Sequence, residues 1–287
     1  MEQFACQRES VSVSGTTLRY TVEGSGIPIL VIGSATYYPR IFSWRLREFC
    51  TLAFADLRIF TESDAELNLE RLTFDTYADD IERIRLALGF EQVVIVGHSH
   101  IGNLALEYAK RYPERVSHVV MIGSPPCGVK RTIEASEDYW ETHAAEDRKA
   151  TLRRNWEAIS DKLASMSSDE AFIAKYAADG PKLWYNYNYD SSPLWRNMHI
   201  NMDVIKALRG LFTDDYKLWW DSAHLKAKVL VVMGCYDYVV PHVLWDEVLP
   251  NLQNVTYHLF ERSGHTPQLE EQKLFDQLLL EWLEKGL

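Results

Sequence analysis

A serine that is to act as a nucleophile must stand clear of its own strand or helix, close to N–H groups that can receive negative charge and within reach of a base. Ser99 has such a setting in Val93-Val94-Ile95-Val96-Gly97-His98-Ser99-His100-Ile101-Gly102. The run reads as a buried strand that passes through a Gly-x-Ser turn directly into a helix, a nucleophile elbow. Such a turn needs small residues, here Gly97. It lifts the hydroxyl above the sheet and aims the first helical N–H groups at a developing oxyanion. A bare Gly-x-Ser is common in ordinary turns, so the strand before it and the helix after it carry the weight. His98 and His100 could suggest a metal pair, but no further Cys, Asp or His cluster accompanies them at ligand spacing, and neither metal nor cofactor is expected.

The elements that must hold this serine follow from hydrophobic periodicity. Glu9 to Glu23 alternates apolar and polar residues around Ser14-Gly15, an antiparallel hairpin. Pro28 to Ile32, Leu52 to Ala55, Gln92 to Val96 and His118 to Ile122 are short apolar runs, each followed by helical periodicity. Strands alternating with helices imply a parallel sheet covered on both faces. Thr73 can cap a helix with the stripe Tyr77, Ile81, Ile84 and Leu88, ended by Gly89. A second helix runs from about His100 to Tyr112 and stops at Pro113, with Leu104, Ala105, Tyr108 and Ala109 inward.

Between Cys127 and His224 strand-like runs vanish, and helix formers mix with Trp140, Trp156, Trp184, Tyr185, Trp195, Trp219 and Trp220. This predicts an inserted helical domain, with Cys127 as a hinge residue after Pro125-Pro126. Lys228 to Met233 and Val255 to Phe260 resume the strand pattern, separated by a helix beginning near Pro241, and Glu271 to Leu283 forms the last helix. The division expected is a core over 1–127 and 226–287 with a helical cap over 128–225.

The elbow in this context resembles the α/β-hydrolase superfamily, and the resemblance covers the core on both sides of the insertion. It implies an α/β fold with a mostly parallel eight-stranded sheet, and the chain order Ser, acid, His. Gly234-Cys235-Tyr236-Asp237-Tyr238-Val239-Val240-Pro241 resembles the family's G-x-x-D-x-x-x-P turn, which gives Asp237 the acid role. Ser263-Gly264-His265 after the final strand resembles its G-H loop and gives His265 the base role. The imidazole would take the Ser99 proton while Asp237 fixes its tautomer. By position the oxyanion donors are the backbone N–H groups of His100 and Ser34.

Two departures from the family pattern bear on geometry. G-x-S-x-G would place glycine at 101, where this chain has Ile101 and then Gly102, so helix and strand must pack differently. The His-Gly that often precedes the second oxyanion donor is replaced by Ile32-Gly33-Ser34-Ala35, so a histidine's support for that loop is lost. Asp56 competes weakly for the acid role, although Asp56-Leu57-Arg58 resembles a structural turn of the family. His258, in a strand, and His242, at a helix start, are expected to be structural.

Composition bounds the partners. Hydrophobic residues are 47% and charged residues 25% of 287, ordinary globular usage. A net charge of -11 without any Lys/Arg cluster opposes nucleic acid and anionic lipid as partners. Cys6, Cys50, Cys127 and Cys235 lie far apart with no C-x-x-C pair, so free thiols are expected. Met1-Glu2-Gln3-Phe4 lacks a basic region followed by an apolar stretch, and no run is long enough to span a bilayer. A cytoplasmic monomer or homodimer acting on a small molecule is the expectation.

Relatives that open epoxides or displace halide use aspartate at the elbow, so serine implies acyl transfer through an acyl-enzyme. The expected substrate is a bulky apolar carboxylic ester, with lactones and macrolides as candidates. Tyr37, Trp184, Tyr185, Tyr187 and Tyr238 are the candidate substrate-binding rings, although such rings also serve simply to pack helices. A proline iminopeptidase-like aminopeptidase is the alternative enzyme. It would show H-G-G-P-G and G-G-S-W-G where this chain has other residues, and it needs a cap carboxylate, for which Glu134, Glu137, Glu141, Glu157 and Asp190 all qualify. A small-molecule receptor that keeps a hydrolase triad is the alternative of another class.

Overall fold

The computed structural model describes residues 7–62, 68–216 and 225–285. Trp219, Trp220, His224, Cys6 and the amino-terminal Met1 to Phe4 lie outside the described residues. Eight strands form one sheet: β1 (Gln7–Val13), β2 (Thr16–Gly24), β3 (Ile27–Gly33), β4 (Cys50–Asp56), β5 (Val93–His98), β6 (Val116–Ile122), β7 (Lys228–Gly234) and β8 (Val255–Phe260). Their spatial order is β1-β2-β4-β3-β5-β6-β7-β8. Pairing is antiparallel from β1 through β2 to β4 and parallel elsewhere. The β1–β2 hairpin turns at Ser14 and Gly15, both at positive φ (48° and 78°), the backbone hand that matches strand twist.

Continuous apolar runs make sense because the sheet is buried twice over. Leu30, Ile32, Ile95, Val119 and Val231 belong to the core on one face. Their chain neighbours Ile29, Val31, Val94, Val120 and Leu230 belong to the core on the other. Period-two alternation thus serves two cores instead of a core and a wet face. The first core is closed by α1 (Phe74–Ala87) and α2 (His100–Arg111), through Tyr77, Ile81, Ile84, Leu104 and Tyr108. Thr73 caps α1 as its sequence predicts, accepting from the Thr76 N–H while the Thr76 hydroxyl accepts from the Thr73 N–H.

Between β6 and β7 the described residues form helices and no strand: α3 (Val129–His143), α4 (Glu146–Ser160), α5 (Ser168–Ala178), α6 (Gly180–Leu183) and α7 (Met202–Leu211). After β8 come α8 (Pro267–Glu270) and α9 (Gln272–Glu284), the latter closing the second core with Phe275, Leu279 and Leu283. The helix expected near Pro241 is absent. In its place His242–Trp245 and Leu249–Asn251 form two 3₁₀ turns. Pro250 accounts for part of this, because it offers no N–H and disfavours helical backbone in the residue before it. No helix among the described residues is long and apolar enough to cross a membrane.

Parallel strands lift whatever follows their carboxyl ends to one edge of the sheet. The chain winds outward in opposite directions from β3 and β5, so a crevice opens above that pair. Ser34 follows β3, Ser99 follows β5, Asp237 follows β7 and His265 follows β8.

Candidate active site

Ser99 caps α2 with φ 57° and ψ -143°, a conformation that side-chain-bearing residues rarely adopt. Two backbone bonds hold it there. The Ser99 N–H donates to Ile122 O at 2.8 Å, and the Gly102 N–H donates to Ser99 O at 2.9 Å. Positive φ at a non-glycine residue is a form of strain that folded structure tolerates mostly where function needs it. Ser99 stays half-buried, with its neighbour His98 fully inside.

The missing glycine at 101 is explained by a shift of one position. A Cβ on Gly97 would lie 2.5 Å from Ile101 O and 2.6 Å from the Gly102 Cα. Helix and strand therefore meet glycine on glycine, at 97 and 102, while Ile101 turns its side chain into the first core. Because the obstacles are backbone atoms, Gly97→Ala must push α2 off β5. It should lower the stability of the fold by about 1–3 kcal/mol, read as a lower urea midpoint at unchanged slope.

Asp237 is fully buried in the turn after β7. Its Oδ1 accepts the N–H groups of Val239 (2.9 Å) and Val240 (2.8 Å). That leaves Oδ2 to meet Nδ1 of His265 at 2.6 Å. With Nδ1 donating to a carboxylate, the neutral ring carries its open lone pair on Nε2, the nitrogen able to accept a proton. His265 is itself 4% exposed, and its ring centroid lies 4.6 Å from that of His98.

His98 has a use that sequence reasoning did not find. Its Nε2 lies 2.7 Å from the carbonyl oxygen of His265, and a carbonyl only accepts, so Nε2 carries the proton. Burial, with the neighbouring His265 second, drives the His98 pKa down to about 3, which keeps the ring neutral in this role. His100 is also held neutral, its pKa lowered to about 4 first by burial and then by Arg209 and His265.

The loop after β3 compensates for its missing histidine. Ser34 turns its hydroxyl inward to accept from the Thr36 and Tyr37 N–H groups, at 3.1 Å each. Asp56, the rival candidate for the acid role, accepts the Ala35 N–H at 2.7 Å and Arg19 Nε at 2.7 Å. It anchors the Ser34 loop, and the carboxylate bonded to the His265 imidazole is that of Asp237 instead. Among the described residues no protein group accepts the backbone N–H of Ser34 or of His100, so both donors remain available.

The candidate substrate-binding rings divide into two groups. Tyr37 packs on Trp195 and Tyr38, next to the Ser34 loop. Tyr187 and Tyr238, joined by Tyr236, surround the Arg148 guanidinium of α4 with their faces. Arg148 also donates to the carbonyls of Pro181 (2.8 Å), Trp184 (2.7 Å) and Tyr185 (2.8 Å). Tyr185 stacks edge-on against Tyr236, and Trp184 against Tyr189. Within 184–190 the Tyr187 ring therefore packs on this buried cation, and Trp184 and Tyr185 reach it through their carbonyls. Arg148 was not legible in advance, because Glu146-Asp147-Arg148-Lys149 reads as a solvated helix start.

The family model for the alpha/beta hydrolase fold matches residues 45–272. Of the curated proteins, AB hydrolase superfamily protein YclE of Bacillus subtilis (strain 168) is 35% identical over 272 residues, spanning 94% of this chain and 96% of that protein. Proline iminopeptidase PfmaB of Pestalotiopsis fici is 25% identical over 224 residues, 74% of this chain and 75% of that one. Of the solved structures, an alpha/beta fold family hydrolase from Bacillus anthracis str. Sterne superposes with a TM-score of 0.73 at 18% identity, covering 98% of this chain and 99% of the other.

Proposed function

The chain belongs to the α/β-hydrolase fold family and is a hydrolase; on that premise we propose that it cleaves carboxylic esters through Ser99, His265 and Asp237. The observation that carries this reading is the 2.6 Å bond between His265 Nδ1 and Asp237 Oδ2, at the sheet edge where Ser99 is held at the elbow. Ser99 gives its proton to His265 Nε2 as its oxygen attacks the ester carbonyl. The oxyanion that forms is met by the N–H groups of Ser34 and His100, each worth roughly 3 kcal/mol in the transition state. His265 then hands the proton to the departing alkoxide, and water repeats the cycle on the acyl-enzyme. No cofactor is invoked.

The preferred substrate is a bulky apolar ester, lactones and macrolides included, with Tyr37, Trp184, Tyr185, Tyr187 and Tyr238 nearest to its non-reacting part. The similarity to a proline iminopeptidase supports a second reading as an aminopeptidase. Against it, all five carboxylates that could receive a substrate ammonium, Glu134, Glu137, Glu141, Glu157 and Asp190, are exposed, where water weakens such a pairing. The core and cap division at 128 and 225, and a cytoplasmic monomer or dimer, belong to the same proposal.

Parallel assays of p-nitrophenyl esters, lactones, macrolides and aminoacyl anilides on the native protein decide between these substrates. Esters are expected to turn over fastest. A preference for the anilides would replace the esterase reading with the aminopeptidase one.

A further inference from the structure

Two charged side chains outside the triad, buried Arg148 and half-buried Glu270, share no hydrogen bond or ion pair, yet both grip one peptide bond. Arg148 Nη1 donates to the Trp184 carbonyl at 2.7 Å. The N–H of that same peptide, on Tyr185, donates at 2.7 Å to Glu270 Oε2. Glu270 spends its other oxygen on the Gly264 N–H, at 2.8 Å. The next residue is His265, whose own N–H donates to Leu183 O at 2.7 Å. A cation on the carbonyl and an anion on the N–H polarise the peptide between them in the same sense, which strengthens both bonds.

We infer that Glu270 and Arg148 are positioning residues for His265, holding its loop in place through the Trp184–Tyr185 peptide. The inference rests on the reading of His265 as the base. Neither residue needs contact with substrate. Their effect is to fix the backbone that carries the imidazole, so that Nε2 stays aimed at the elbow while Asp237 holds the other side of the ring.

Glu270 must be ionised for this, because a protonated carboxyl would turn an O–H against one of the two N–H donors. Burial pushes its pKa up to about 7, the backbone N–H groups of Tyr185, Gly264 and Thr266 oppose that rise, and the Asp237 charge adds to it. The other titratable groups facing it are the phenols of Tyr37 and Tyr189 and, through the backbone, His265 and Arg148. Glu271 faces away, onto the Arg262 N–H and the Ser263 hydroxyl. The carboxylate is therefore present above neutrality and lost below it, and the positioning goes with it.

The test is the rate at which a fluorophosphonate labels Ser99, followed across neutral pH in the native protein, Glu270→Gln, Glu270→Asp, Arg148→Met and the Arg148→Met/Glu270→Gln double variant. In the native protein labelling should fall on the acid side as Glu270 takes up its proton. Glu270→Gln should lower the alkaline plateau by roughly tenfold to hundredfold and fall less steeply toward acid than the native protein. Glu270→Asp keeps the titrating group but cannot span both donors, so it should show a lowered plateau with the native steepness; it also serves should the glutamine variant fail to fold. The double variant should lose less than the product of the single losses. An unchanged plateau and steepness in Glu270→Gln, or strictly multiplicative losses, would overturn the inference. Failure of the native protein to label, or labelling of Ser99→Ala, would instead remove the assignment of Ser99 itself.

Discussion

Ser99→Ala should lower ester turnover by roughly four to six orders of magnitude and abolish fluorophosphonate incorporation. The size of the loss follows from cooperation, because in the proposed mechanism His265, oriented by Asp237, acts through the Ser99 oxygen, while the oxyanion donors act on the substrate's carbonyl oxygen. With that oxygen gone, only the Ser34 and His100 N–H groups and the bound geometry remain to help water attack directly. The fold should survive the change. Alanine meets the same positive φ of 57° that serine already tolerates, and the bonds to Ile122 O and from the Gly102 N–H are backbone bonds. An unaltered melting curve together with retained turnover would place the nucleophile elsewhere.

What was legible in the sequence, and what was not, divides along a physical line. Strands buried on both faces leave continuous apolar runs, and the turns between strand and helix leave Gly, Asp and Ser at their ends. These signals placed the sheet, α1, α2 and the loops carrying Ser99, Asp237 and His265, because each is local in the chain. Shape at a single residue was also local but ambiguous: the 3₁₀ turns after Pro241 carry the same apolar spacing as a helix, and only Pro250 hinted at their shortness.

Contacts made across the fold left no such trace. His98 looked like half of a metal pair, whereas it donates to a carbonyl 167 residues away. Asp56 looked like a spare acid, whereas it holds the loop that carries Ser34. Glu270 is one acidic residue on a helix of four residues, and Arg148 one basic residue on a charged helix. Their pairing across the Trp184–Tyr185 peptide exists only once the inserted helices lie over the sheet edge. Long-range polar contacts depend on position in space, which hydrophobic period does not encode.

Asp237→Asn should cost roughly four orders of magnitude in turnover while leaving Ser99 and His265 in place. The reason lies in how the turn after β7 would seat the new amide. Oδ1 of Asp237 receives the Val239 and Val240 N–H groups at 2.9 and 2.8 Å, so that position can hold only the amide oxygen. The NH₂ must then occupy the Oδ2 position, facing His265 Nδ1 where the carboxylate now sits at 2.6 Å. A donor there forces Nδ1 to accept, and the ring proton moves to Nε2. An imidazole protonated on Nε2 has no lone pair to offer Ser99, so a change of one atom in the carboxylate removes the base. In a proton spectrum the low-field signal of a proton on His265 Nδ1 should disappear in the variant. Glu270→Gln, which leaves the tautomer alone, should keep it. Turnover near the native level in Asp237→Asn would mean that another group orients His265, and the assignment of Asp237 would be withdrawn.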